Sequence, residues 1–409
     1  MASKEPRLRW HEGNQIDLLQ NGGKFFPALC EAIDAAQTSV HLETYIFNLD
    51  QTGERVLGHL HKACQRGVKV RVVLDGFGSA LYAQEISRRF ADMGVQYRVY
   101  RPEPKGLGHF RFDLRRLRRL HRKVAVIDGR IAFVGGINII DDLEDVPDDG
   151  VDAKPRFDFA VRLQGPIVVD VERTLSRLWL RMAWRRRDDW AAFYQRLKGW
   201  SQRRDWSREQ AAVHFDPGMR ATLLLRDNIR FRQTIENVYI GAIRHAKNDI
   251  LLANAYFFPG RRLRLALVHA AARGVRVRLL LQGRSEYPMQ YRACRYMYCK
   301  VLDDGIEIYE YMASYLHAKV AVIDDGAMVG SSNLDPFSLL LAREANVFVQ
   351  DAGFADELKT ALETEIATNS TQVTEQSLQR RTFIGRYIDA ASYMMLRIGV
   401  ALTGKSSQY

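Results

Sequence analysis

His121 and Lys123 stand two residues apart in the segment HRKVAVID, and His317 and Lys319 stand two apart in HAKVAVID. Both segments are rich in valine and isoleucine, which predicts a buried strand. Residues two apart on a strand share a face, so each copy projects an imidazole and an ammonium together. That pair suits a phosphodiester. Negative charge develops on the equatorial oxygens as a fifth ligand reaches phosphorus, and Lys123 and Lys319 would stabilise it. One histidine can attack phosphorus to give a phosphohistidine. The other can protonate the leaving alkoxide and then deprotonate an incoming alcohol. The two ammonium groups already supply positive charge, and no carboxylate cluster at metal-ligand spacing accompanies them. Neither a metal nor another cofactor is expected.

Further residues gather round each motif. Asn138 and Asn333 can donate hydrogen bonds to phosphate oxygens, and Gly135, Gly136 and Gly330 permit close backbone approach. Asp128 and Asp324 close the two motifs and are grouped with their catalytic residues. Their odd offset from the lysines, however, predicts the opposite strand face and a structural turn role. A histidine needs an orienting partner on its second ring nitrogen, and aligning the two copies offers Asp158 and Glu344. A single His-x-Lys on a strand is usually a surface pair. Two copies in the same eight-residue frame, each followed by glycine and asparagine, are not explained that way.

The elements that must carry these residues are themselves repeated. Residues 38–75 and 248–281 each read as a strand, a short loop, an amphipathic helix, an Arg-Gly turn and a second strand. The turns align as Arg66-Gly67-Val68 and Arg273-Gly274-Val275, with glycine where a helix ends in a left-handed residue. The expected class is α/β, with two similar halves. Each half would be a mixed, mostly parallel sheet flanked by helices, and the halves would pack as a pseudo-two-fold pair around a shared site. The expected divisions are 1–205, including a basic Trp-rich helical segment, 206–375, and a tail at 376–409.

Composition narrows the partner. Sixty Lys plus Arg against 48 Asp plus Glu give the 409-residue chain a formal charge of +12, which favours an anionic polymer or membrane surface. Four cysteines are too few for a disulfide scaffold and predict reduced thiols. The N-terminus lacks the apolar run of a signal peptide, and no stretch reaches the ~18 apolar residues of a membrane span. Arg115, Arg116, Arg118 and Arg119 precede His121, and Trp179, Trp184, Trp190, Trp200 and Trp206 lie among arginines. Arg173, Arg177 and Arg181 recur every four residues and predict one basic helical face. The tail RRTFIGRYIDAASYMMLRIGVALTG predicts an amphipathic helix. Arginine clusters and interfacial tryptophans both suit an anionic lipid surface.

The doubled H-x-K-x4-D, each copy followed by G-[SG]-x-N, resembles the signature of the phospholipase D superfamily. Within it the chain resembles bacterial cardiolipin synthases of the shorter type, which lack N-terminal transmembrane helices. That likeness rests on ILLANAYFFPG at 250–260, LQGP at 163–166, GSSNLDPFSL at 330–339 and EANV at 344–347. The resemblance implies that one phosphatidylglycerol gives its phosphatidyl group to another, forming cardiolipin and glycerol. It implies His121 as nucleophile and His317 as acid and base. It adds Ser331 as a phosphate contact, with Gly136 in that place in the first copy. Anionic phospholipids (phosphatidylglycerol and cardiolipin) and the membrane surface are the partners implied, with no nucleic acid. The implied location is peripheral, on the cytoplasmic side of a bacterial cell membrane. The competing readings are another phospholipase D-type enzyme (a lipid hydrolase, a transphosphatidylase or a nuclease) and a membrane-binding protein without activity.

Overall fold

A computed structural model describes residues 8–103, 118–144, 146, 153–185, 213–227, 231–335, 338–339, 341–379 and 382–402. Arg115, Arg116, Arg186, Arg187, Trp190, Trp200 and Trp206 lie outside the described residues, as do the side chains of Trp184 and Arg185. Two compact units emerge. The N-terminal unit holds Arg9–Asp141 and Ala160–Leu223, and the C-terminal unit holds Asp142–Phe159 and the chain from Leu224 onward. Residues 142–159 therefore belong with the later part of the chain, not with the repeat that precedes them.

The N-terminal unit runs β1 (His11–Gln20), α1 (Asn21–Ala35), β2 (Ser39–Thr44), α2 (Gln51–Gln65), β3 (Lys69–Asp75), α3 (Ala83–Asp92) and β4 (Gln96–Tyr100). It continues with β5 (Lys123–Ile127), β6 (Ile131–Gly135), β7 (Phe159–Gln164), α4 (Val168–Arg185) and β8 (Met219–Arg226). The strand order is β8-β1-β7-β6-β5-β2-β3-β4. Strands β2, β3 and β4 run parallel, while β5 and β6 join antiparallel to their neighbours. The parallel part is narrower than the sequence pattern suggests. Helices α2 and α3 supply the crossovers that parallel pairing of β2, β3 and β4 requires.

The C-terminal unit repeats this plan. It comprises α5 (Thr234–His245), β9 (Asp249–Asn254), α6 (Arg261–Ala272), β10 (Arg276–Gln282), α7 (Pro288–Leu302), β11 (Glu307–Tyr311), β12 (Lys319–Ile323), β13 (Gly326–Gly330) and β14 (Glu344–Gln350). Then follow α8 (Ala352–Asn369), β15 (Ser370–Val373), α9 (Glu375–Gln379) and α10 (Phe383–Leu402). The order is β15-β11-β10-β9-β12-β13-β14, with β9, β10 and β11 parallel.

Apolar alternation builds the core. Val40 and Leu42 of β2 and Val70, Val72 and Leu74 of β3 face Phe26, Leu29 and Ile33 of α1 and Val56, Leu57 and Leu60 of α2. Each such side chain contributes about 1.5–3 kcal/mol on burial. The opposite face carries Val73 and Tyr100 against Leu178 and Trp179 of α4. Trp179 is therefore core, and the Arg98 guanidinium lies 4.0 Å from its ring centre. On the same helix Arg177 and Arg181 are exposed, while Arg173 pairs with Asp170 at 2.9 Å.

The repeated Arg-Gly turn has a physical cause. Asp50 caps α2 by accepting from Gly53 N at 2.8 Å. At the other end Gly67 takes φ +83°, and the Arg66 guanidinium donates to Ile33 O, in the last turn of α1, at 2.8 Å. Arg273 donates in the same way to Ile243 O of α5 at 3.0 Å. The arginine thus satisfies carbonyls that a neighbouring helix end leaves free.

Helix α10 packs on α7 with its polar side inward. Asp389 and Ser392 are buried, Arg292 reaches Asp389 at 3.5 Å, and Tyr393 lies against Phe258 and Tyr296. Phe383, Ile384, Tyr387, Ile388, Met394, Met395 and Ile398 are left exposed. Among the described residues no helix is long and apolar enough to cross a membrane.

Candidate active site

The two His-x-Lys segments adopt one local geometry. Lys123 and Lys319 open β5 and β12, both strands are buried throughout, and each lysine Nζ donates to the backbone carbonyl of the histidine two residues earlier. Lys319 is wholly buried. Burial pushes its pKa down to about 8, with Asp158 and then Glu344 pulling the other way.

His317 has a defined partner. Residues 156–158 run beside 315–317: Phe157 N donates to Tyr315 O at 2.9 Å, and His317 N donates to Phe157 O at 2.8 Å. This pairing sets Asp158 Oδ2 2.6 Å from His317 Nδ1 and 3.8 Å from Lys319 Nζ. Phe159 N donates to the other carboxylate oxygen at 2.8 Å. A carboxylate only accepts hydrogen bonds, so Nδ1 carries a proton and Nε2 is the nitrogen left to exchange one with a reacting oxygen. The acid sits 159 residues from its histidine, and both belong to the C-terminal unit.

Strand register supports the alignment of Asp158 with Glu344. Gly135 pairs with Ala160 and Gly330 pairs with Asn346, so each acid lies two residues before the partner of the motif glycine. Glu344 is buried and accepts from Ser331 Oγ at 2.5 Å. Ser331 Oγ in turn accepts from Ala345 N at 3.1 Å. The Ser331 hydroxyl proton is thus directed at Glu344. Gly136, in the matching place, is buried and has no hydroxyl to offer. A Cβ on Gly330 would fall 2.2 Å from Asn346 Oδ1, which accounts for glycine there.

The asparagines are held close to the end of the neighbouring strand. Asn138 Oδ1 accepts from Ile46 N at 3.2 Å, which leaves donation to an anion to Nδ2. Asn333 Oδ1 is buried and takes no hydrogen bond from the described residues.

Asp128 and Asp324, which close the two motifs, are engaged with backbone amides. Asp128 accepts from the backbone N–H groups of Gln37, Thr38 and Ser39, each at 2.8 Å. Asp324 accepts from Lys247, Asn248 and Asp249 at 2.8–3.0 Å. Burial would raise both pKa values, but these donors outweigh it and hold both carboxyls below the usual range. Both residues take positive φ, +52° and +47°, as turn residues that clamp the loop entering β2 or β9.

Some neighbours of the motifs carry no sequence signal. Tyr45 lies edge-on to His121, ring centres 4.8 Å apart, and its ring centre is 5.3 Å from Lys123 Nζ. A Cβ on Gly78 would meet this ring at 2.8 Å, so glycine makes room for it. Asp75 accepts from Leu120 N at 2.7 Å and from Phe77 N at 2.9 Å, tying the loop after β3 to the residue before His121. Arg122 and Glu43 form a buried ion pair at 2.5 Å, where the second repeat has Ala318 and Ala253. Comparing the repeats position by position exposes Tyr45 against Ala255 and this ion pair against two alanines. Among the described residues no cluster of ligands could hold a metal.

Two mixed sheets of one plan, each with a His-x-Lys strand against a Gly-x-x-Asn turn, define a two-motif protein of the phospholipase D type. A family model described as "Cardiolipin synthase, PLD-like domain" matches residues 29–142 and 239–366. The chain is 41% identical over 399 residues to Cardiolipin synthase B of Salmonella typhi, covering 97% of this chain and 91% of that one. It is 40% identical over 402 residues to Cardiolipin synthase B of Escherichia coli K12, with the same coverage. Among solved structures, the phosphatidylserine synthase of Haemophilus influenzae Rd KW20 shares the fold with a TM-score of 0.68 at 13% identity, over 98% of this chain and 97% of that one. The chain belongs to the cardiolipin synthase family of phospholipase D-like proteins.

Proposed function

We propose that this chain is a phosphatidyltransferase that joins two phosphatidylglycerol molecules into cardiolipin and releases glycerol. The observation that carries the reading is the twice-repeated His-x-Lys geometry, with a carboxylate on Nδ1 of His317, in a chain 40% identical to a cardiolipin synthase over 97% of its length. The work is divided between the motifs. His121 Nε2 attacks phosphorus, the P–O bond to the glycerol headgroup breaks, and His317 gives its Nε2 proton to the departing alkoxide. His317 then takes the proton from a headgroup hydroxyl of a second phosphatidylglycerol. That oxygen attacks the phosphohistidine and restores His121. Asp158 suits His317 to this exchange, because it holds Nδ1–H and stabilises charge as it develops on the ring. Lys123, Lys319, Asn138 and Asn333 supply cations and donors for the phosphate oxygens.

The same reading places the enzyme on an anionic membrane surface, at its cytoplasmic face. The exposed side of α10 supports it: seven large apolar residues with Arg386 and Arg397 as the only exposed charges described there. An interfacial helix buries such a face. The free thiols, Cys30 and Cys294 among them buried, suit a reducing compartment.

Mass spectrometry of the products from phosphatidylglycerol vesicles tests the activity. Cardiolipin and glycerol should form in equal amounts, and His121→Ala and His317→Ala should each abolish the reaction while leaving the melting temperature unchanged. Phosphatidic acid as the main product would make the enzyme a hydrolase. Cleavage of single-stranded DNA with no lipid turnover would make it a nuclease.

A further inference from the structure

The two repeats share a feature that the phosphate chemistry leaves unused. In each unit the second parallel strand is followed by a glycine bonded to the end of the third: Gly76 N donates to Tyr100 O at 2.8 Å, and Gly283 N donates to Tyr311 O at 3.0 Å. The loop that follows, with the first turn of α7 in the C-terminal unit, carries large apolar side chains out into solvent. In the N-terminal unit these are Phe77, 54% exposed, and Leu81, 82% exposed; in the C-terminal unit they are Tyr287, 52%, and Met289, 45%.

Both loops flank a histidine motif within their own unit. The first is fixed to Tyr45, the neighbour of His121, by Ser79 Oγ donating to Tyr45 O at 3.0 Å, and to Leu120 through Asp75. In the second, Glu286 is close enough to Lys319 to act on its charge, and Tyr287 lies 6.2 Å from Tyr256. Arginines accompany the apolar groups of the first loop: the Arg119 guanidinium, itself paired with Glu103 at 2.5 Å, lies 4.7 Å from the centre of the Phe77 ring, and Arg118, next to it in sequence, is exposed.

We propose that each of these loops is a lipid-contacting lip beside the histidine of its own unit, which enters the acyl-chain boundary of an anionic bilayer and admits a phospholipid headgroup to that histidine. The inference rests on the phospholipid reading above and adds the surface by which the substrate is met. Three observations favour a lipid layer as occupant. Apolar exposure recurs just after the second parallel strand in two diverged repeats. Arginine at the edge of the apolar groups matches a boundary where phosphate lies above hydrocarbon. A substrate whose headgroup reacts while its chains stay in the bilayer needs apolar contact beside the reacting atoms.

The test compares two forms of one substrate. Leu81→Ser combined with Phe77→Ser, and separately Met289→Ser, should each lower the rate on phosphatidylglycerol vesicles about tenfold or more, the size expected for withdrawing one or two apolar side chains from hydrocarbon. The rate on dihexanoyl-phosphatidylglycerol below its micellar concentration should stay within about twofold of the parent. Equal loss on both substrates, or no loss on vesicles, would overturn the proposal. So would a change of oligomeric state with an unaltered vesicle rate, which would make the lips an interface between copies. A readout independent of turnover is fluorescence of Leu81→Trp: brominated acyl chains should quench the added emission, and emission blind to them refutes lipid contact. If the parent turns over no phosphatidylglycerol at all, the functional reading falls, while quenching still decides the role of the loops.

Discussion

Replacing Asp158 by Asn removes one charge with almost no change of shape, and the surrounding bonds determine the outcome. Phe159 N donates to Asp158 Oδ1 at 2.8 Å, so the asparagine oxygen keeps that position as the acceptor. Its Nδ2 then occupies the place of Oδ2, 2.6 Å from His317 Nδ1. An amide nitrogen only donates, so Nδ1 must accept and the proton moves to Nε2, the atom that needs a lone pair to receive the acceptor hydroxyl's proton. The lost charge-assisted hydrogen bond is worth about 1.5–3 kcal/mol, which alone is roughly a tenfold to hundredfold fall in rate. The reversed tautomer adds to this, giving an expected loss of about 10²–10³ in kcat. Lys319 also loses an anion 3.8 Å away, the strongest of the charges that hold its proton in place. Its pKa should fall further below about 8, and the alkaline limb of the rate profile should move to lower pH. The assay is the initial rate of cardiolipin formation on phosphatidylglycerol vesicles across roughly pH 6–9, with thermal unfolding as the control for folding. A variant within about threefold of the parent, or an unmoved alkaline limb, would refute the role given to Asp158.

The parent's rate should fall as pH rises through about 8, because Lys319 then loses the charge that steadies the phosphate oxygens. Stability should move the other way: the unfolded lysine keeps its proton up to about 10.5, so between these values the unfolded chain binds more protons and folding gains with pH, by about 3 kcal/mol in all. Urea titrations at several pH values would show it, and a decline in stability over that range would count against a buried Lys319. Ile384→Asp with Met395→Asp, on the exposed face of α10, should cut cosedimentation with anionic vesicles by tenfold or more while leaving turnover of monomeric short-chain substrate intact; unchanged cosedimentation would remove α10 from membrane binding. Arg122→Ala should cost about 3–5 kcal/mol by stranding Glu43 in the core, whereas the double change to alanine should cost less, since Ala318 and Ala253 fill those places in the second repeat. Denaturation midpoints of the two variants measure the difference.

Much of the site was legible because it is local and doubled. The His-x-Lys strands, the Gly-x-x-Asn turns and the Arg-Gly helix ends are short patterns whose geometry follows from strand parity and helix termination. The position of Asp158 on His317 was not legible in that way. Alignment offers the residue, but its ring is chosen by backbone pairing between residues 156–158 and 315–317, a contact across 159 positions. Tyr45 carries no signal because an aromatic residue at a strand end is ordinary. The direction of α10 was also hidden: a helical wheel shows two faces, and only Asp389 on Arg292 reveals that the polar one turns inward. Trp179 reads equally well as an interfacial or a buried residue until its packing with Leu178 and Tyr100 is known.

The partnership of Asp158 with His317 limits how this chain can be divided. A cut near residue 206, where composition separates the repeats, would leave the later fragment with an imidazole but without the acid that sets its proton. Residues 142–159 would have to travel with that fragment for it to keep a working histidine. The repeats are therefore not interchangeable modules, and exchanging one for its counterpart from a relative should succeed only when this connecting segment comes from the same source as the sequence around His317.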